Sequence, residues 1–142
     1  MIDHVSIPVR NLAAATKFYE AVLLPLGLTK LVEREKTVGF GKKYSEFWLN
    51  FRTEVHPSHD PGGHICLRAP SEAAVRAFHA AALANGGLDG GPPGQRQGSV
   101  TRYFGAFIID PDGNKLEAIT FQDGASPVVA NGSLRGRRAL RD

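Results

Sequence analysis

The chain has 142 residues, 42% of them hydrophobic and 22% charged, enough for a globular unit with its own core. One cysteine, Cys66, excludes an intramolecular disulfide and any CxxC zinc pattern. The net charge is +3, but four of the seventeen basic residues sit in "RGRRALR" near the end, and no aromatics interleave with them. That distribution argues against nucleic-acid binding and for a solvated terminus.

The opening "MIDHVSIPVR" runs directly into an alternating strand and lacks the basic start and apolar segment of a signal peptide. With no stretch near the roughly 20 apolar residues of a membrane helix, a cytoplasmic protein that avoids membranes is expected. A capped helix follows, with Asn11 as N-cap and Leu12, Ala15, Phe18, Tyr19, Val22 and Leu23 at helical spacing, closed by Gly27. Three short strands are predicted next, over Leu28–Arg34, Thr37–Gly41 and Glu46–Phe51. The polar stretch "RTEVHPSHDPGG" reads as a linker whose His56 and His59 are solvated.

At His64 the pattern starts again. "HVSIPVRNLAAATKFYEAVLLPLGL" from His4 aligns without a gap on "HICLRAPSEAAVRAFHAAALANGGL" from His64. His4 meets His64, Asn11 meets Ser71, Phe18 meets Phe78, Leu23 meets Leu83 and Gly27 meets Gly87. The second copy therefore predicts a strand, a helix capped by Ser71, and strands near Leu88–Gly90, Thr101–Ile109 and Lys115–Phe121. "GGPPGQRQGS" is expected to be a long loop, and His79, in mid-helix, to be exposed. The predicted organisation is α+β: two βαβββ modules, about residues 1–54 and 62–121, forming one domain with a curved mixed sheet and flanking helices. Residues 122–142 form a tail expected to be dispensable for the fold.

Alternation places Val5, Ile7 and Val9 on one face of the first strand and His4, Ser6 and Pro8 on the other. The matching strand places Ile65, Leu67 and Ala69 opposite His64, Cys66 and Arg68. The apolar faces are expected to meet the helices. In the strand that follows "DPDGN", Glu117 shares its face with Lys115, Ile119 and Phe121. A carboxylate there must pair, coordinate or take up a proton if it is buried. His4, His64 and Glu117 together offer two imidazoles and a carboxylate, a donor set suited to zinc, iron, manganese or nickel. Arg68 is a candidate for an anionic substrate group, Cys66 a small buried residue, and Trp48 and Tyr103 candidate cavity walls. "DPDGN" reads as a structural turn.

The paired modules, "IDHVSIPVRNL…FYEAVLLPLGL", "GGHICLRAPS" and "AFIIDPDGNKLEAI" resemble the vicinal-oxygen-chelate superfamily, which includes glyoxalase I, bleomycin-resistance proteins, extradiol dioxygenases and fosfomycin-resistance thiol transferases. The resemblance spans residues 1–121. It implies a divalent-metal-dependent enzyme on a small oxygen-bearing molecule, of lyase, dioxygenase or thiol-transferase type, with His4, His64 and Glu117 as metal ligands and Tyr103 as a second catalytic group. A fourth ligand slot falls near Leu49, which is not a ligand, unlike the four-ligand set of glyoxalase I. The alternative is a ligand-sequestering protein of the bleomycin-resistance type. The resemblance also implies a homodimer, with a metal site within one chain or shared between two.

Overall fold

The computed structural model describes residues 1–55, 62–98 and 101–121. The expectations for His56, His59 and the tail lie outside these residues. The first module runs β1 (Val5–Val9), α1 (Leu12–Leu23), β2 (Thr29–Glu33), β3 (Thr37–Gly41) and β4 (Ser45–Phe51). The second runs β5 (Ile65–Arg68), α2 (Glu72–Ala84), β6 (Leu88–Gln97), β7 (Arg102–Ile109) and β8 (Lys115–Thr120). Each module forms its own four-stranded mixed sheet, in the orders β1-β4-β3-β2 and β5-β8-β7-β6. The first strand of each module lies parallel to the last, and the remaining pairs are antiparallel.

The helices begin where the sequence places them. The Asn11 side chain accepts from the Ala14 N–H at 3.0 Å, and Ser71 Oγ accepts from the Ala74 N–H at 3.1 Å. After α1 a short 3-10 turn, Leu24–Leu26, ends on Gly27, whose φ of 81° favours glycine. Ile7, Val9, Phe18, Tyr19, Val22, Phe47, Leu49, Val75, Phe78, Ala106, Ile108 and Leu116 join one buried cluster drawn from both modules. Ser6, Pro8, Cys66 and Arg68 are exposed, so the strand faces turn as alternation requires.

Two expectations are corrected. "GGPPGQRQGS" is not all loop, because β6 continues through Gln97. Its register shifts twice, between Asp89 and Gly91 and between Gly91 and Gly94. Pro92 and Pro93 fall in the second shift, on an edge strand where a missing N–H is tolerated. His79 is buried rather than exposed, and its Nε2 lies 2.9 Å from Asp89 Oδ1 on β6. That contact, with the Gly91 N–H, holds the Asp89 carboxyl below its ordinary value.

The "DPDGN" turn joins the modules. The Tyr19 hydroxyl donates to buried Asp110 Oδ2 at 2.6 Å, and Asn114 Nδ2 donates to Asp110 Oδ2 and to the Pro8 carbonyl. Asp110 Oδ1 accepts from the Asp112 and Asn114 N–H groups. The Arg10 N–H and Nε both donate to Asp112 Oδ1 at 3.0 Å. Desolvation raises the Asp110 carboxyl, and burial followed by the Asp110 charge raises the Tyr19 hydroxyl well above 10.0.

Tyr19→Phe removes a charge-assisted bond and should cost about 2 kcal/mol, seen as a Tm lowered by about 5–10 °C. Tyr19 stays protonated in the fold at a pH where the unfolded chain releases its proton. Its contribution is therefore complete below the unfolded value of 10.0 and is lost as the pH rises toward the higher folded value. Denaturant titrations between pH 9 and 11 should show a steeper decline for the wild type than for Tyr19→Phe.

Candidate functional site

The outward face of the second sheet carries a group that belongs neither to a core nor to an ordinary surface. In the β5–β8 register Cys66 pairs with Glu117, and in the β7–β8 register Phe107 pairs with Glu117. Glu117 is only 4% exposed although it faces away from the helices. His64, next to β5, brings Nε2 to 3.1 Å from Glu117 Oε2. The imidazole also meets Phe107 edge-on, with ring centroids 5.3 Å apart. Among the described residues Glu117 Oε1 is buried without a hydrogen-bond partner, an arrangement that needs a reason because buried polar oxygens are almost always satisfied.

The surroundings respond to this carboxylate. Cys66, expected to be a small buried residue, is instead exposed, yet desolvation by its neighbours, followed by the Glu117 charge, pushes its thiol up to about 12. Tyr103 on β7 is raised for the same two reasons, desolvation first. The thiol and the phenol are therefore both protonated at neutral pH. The sheet face also carries three cation–aromatic contacts. Arg68 lies 4.5 Å from the Phe121 centroid, Arg96 5.3 Å and Lys115 5.1 Å from that of Phe107.

The sequence-derived candidates separate into two sets. His64, Glu117, Tyr103 and Arg68 share the face of the second sheet. His4 lies beside β1 of the first sheet, half-exposed, with Nδ1 2.7 Å from Asp3 Oδ1. Trp48 is in β4, also in the first sheet, and its Nε1 donates to the Ser45 carbonyl at 3.2 Å. Among the described residues no three His, Cys, Asp or Glu side chains converge to hold a metal ion.

The fourth ligand slot moves by one residue. Ser6 pairs with Trp48 as Cys66 pairs with Glu117, so Trp48, not Leu49, occupies the position of Glu117 in the first module. Leu49 faces the core and is fully buried. Trp48 is matched by a glycine across the ladder, Gly39, where an added Cβ would come within 2.9 Å of the indole. The equivalent residue opposite Glu117 is Phe107. The first module thus places its bulk where the second places its carboxylate.

Phe107 and Arg96 are absent from the sequence-derived set. All residues of "YFGAFII" are apolar or small, so alternation did not reveal which side of β7 faces outward. Arg96 lay in a segment read as loop.

Two βαβββ modules, with parallel first and last strands and a histidine–carboxylate pair on an outer sheet face, define a paired-module protein with a polar site. The chain belongs to the Glyoxalase/Bleomycin resistance protein/Dioxygenase superfamily, whose sequence pattern matches residues 1–118. It is similar in structure to a glyoxalase/bleomycin resistance protein from Albidiferax ferrireducens T118, with 34% identity and a TM-score of 0.74 over 82% of this chain and 96% of that one. A glyoxalase/bleomycin resistance protein/dioxygenase family enzyme from Burkholderia phytofirmans PsJN shares the fold at 16% identity and a TM-score of 0.60, over 83% and 96% of the two chains. A glyoxalase I mutant (V278E) from Zea mays shares it at 22% identity and a TM-score of 0.63, over 82% of this chain and 44% of that one. No curated protein matches. No helix of the described residues is long and apolar enough to cross a membrane.

Proposed function

We propose that the protein is a divalent-metal-dependent enzyme acting on a small oxygen-bearing molecule, by lyase, dioxygenase or thiol-transferase chemistry. The observation that carries this reading is the buried Glu117 carboxylate with its unpartnered Oε1 beside His64. An imidazole and a carboxylate fit zinc, iron, manganese or nickel in donor chemistry. His64 and Glu117 would hold the ion, and His4 is the third donor. Because His4 lies beside the other sheet and, among the described residues, no third donor joins the pair, the reading assigns His4 to the site of a second copy in a homodimer.

Held by His64 and Glu117 with His4 as third donor, a divalent ion would polarise a bound carbonyl or stabilise an oxyanion. Glu117 keeps its carboxylate out of bulk water, where it binds a cation more strongly than an exposed group does. Tyr103, raised by desolvation and the Glu117 charge, remains a hydrogen-bond donor at neutral pH and steadies a substrate oxygen rather than removing a proton. Arg68 braces the far side of the face through Phe121.

The test is metal content after purification without an affinity tag, followed by reloading with zinc, iron, manganese or nickel. About one ion per chain is expected for the wild type and for His79→Ala, and loss of uptake for His64→Ala. A wild-type chain that takes up none of the four overturns the proposal. A ligand-sequestering protein is then the reading favoured by the aromatic residues Phe107 and Phe121 on the same face.

A further inference from the structure

Three buried side-chain polar atoms lack a hydrogen-bond partner among the described residues: Ser45 Oγ, Glu117 Oε1 and Arg96 Nε. The last two share one sheet face. Arg96 pairs with Tyr103 in the β6–β7 register, and its guanidinium lies over the Phe107 ring that stands opposite Glu117. One orphan is an acceptor, the other a donor, and Phe107 touches the surroundings of both.

Arg96 is held in this place by two devices. Its Nη2 donates to the Pro92 carbonyl at 2.7 Å, across the bulged part of β6. Gly91 leaves room for the stack, because a Cβ there would come within 3.1 Å of both Arg96 Nη2 and the Phe107 ring. No carboxylate of the described residues forms a salt bridge with Arg96. Asp89, the nearest acid on β6, already accepts from the Gly91 N–H and meets His79. A fixed, partly desolvated guanidinium with a free Nε–H suits a planar carboxylate.

We infer that Arg96 anchors the carboxylate of the substrate, so that the molecule handled at Glu117 is a small organic acid. Its carboxylate accepts from Arg96 Nε, while its reactive oxygen lies toward Glu117 and Tyr103. This deepens the proposed function by giving the substrate's class, and Arg96 is its specificity-determining residue. The anion step needs no metal, so the two readings are tested apart.

The probe is benzoate, with neutral benzamide as its isostere, titrated by calorimetry into protein stripped over a chelating resin. Saturable benzoate binding is expected, at least about 10-fold weaker in Arg96→Gln, the size of one lost charge-assisted hydrogen bond. Benzamide should bind correspondingly weakly to the wild type. Gly91→Ala keeps Arg96 but disturbs its seat, and should weaken benzoate several-fold even if Arg96→Gln does not fold.

Equal affinity for benzoate and benzamide, unchanged benzoate affinity in Arg96→Gln, or no saturable binding to the wild type overturns the inference. Zinc uptake measured on the same samples separates the claims. Benzoate binding through Arg96 without zinc uptake defeats only the metal reading. Zinc uptake without benzoate binding defeats only the anion site.

Discussion

Glu117→Gln should lower divalent-metal affinity by at least about 100-fold, the upper end of what even outer-shell partners contribute, while leaving the metal-free fold intact. Two opposing terms decide the second half. A buried carboxylate with an unpaired oxygen carries an uncompensated desolvation cost, which the neutral amide reduces. Loss of the charge weakens the 3.1 Å contact to His64. His64 is 37% exposed at its side chain, so water replaces much of what it loses. The first term wins or the two cancel, and the Tm without metal should stay within a few degrees of wild type or rise. Thermal melts with and without excess zinc check this directly. Zinc should raise the wild-type Tm by binding the native state and leave the variant unmoved. A large fall in the metal-free Tm would make Glu117 a structural residue and remove it from the site.

The fold was legible because the same local instructions occur twice. Asn11 and Ser71 cap their helices as their side chains predict, and Val5–Val9 and Ile65–Arg68 turn their apolar residues inward. Errors arose where neighbouring context overrides local signals. Gly and Pro in "GGPPGQRQ" signal a loop, yet an edge strand accepts them at bulges. His79 follows a helical pattern that says nothing about Asp89 waiting on β6. The fourth-slot error has a sharper cause: alternation has period two, so displacement by one residue transfers a position from core to outer face. Leu49 and Trp48 differ by that one step, and only the pairing with Ser6 distinguishes them. Glu117 was recognisable from its apolar company on the strand. Arg96 was not, because its role depends on a stack across β6 and β7 rather than on any spacing.

Mixing His4→Ala chains with Glu117→Ala chains should restore metal binding that neither variant has alone. The expectation rests on the separation of the donors. His64 and Glu117 meet at 3.1 Å on the second sheet, while His4 lies against the first and contacts Asp3. Within one chain the histidine and the carboxylate pair belong to different sheets. A two-fold dimer would bring the corresponding surfaces of two chains together, and a site built across that contact would take His4 from one chain and His64 with Glu117 from the other. In a heterodimer of the two variants, one such site is whole and the other lacks both His4 and Glu117. With random exchange half the dimers are mixed, so about one quarter of all sites should recover. Metal analysis after joint unfolding and refolding should read that fraction, with the separate variants as baselines. Association and metal uptake should also be linked, zinc shifting any monomer–dimer equilibrium toward the dimer. A dimer without recovery would remove the shared site and leave only the association. A monomer at micromolar concentration that holds a full complement of zinc would remove both, because a lone chain would then have supplied every ligand itself.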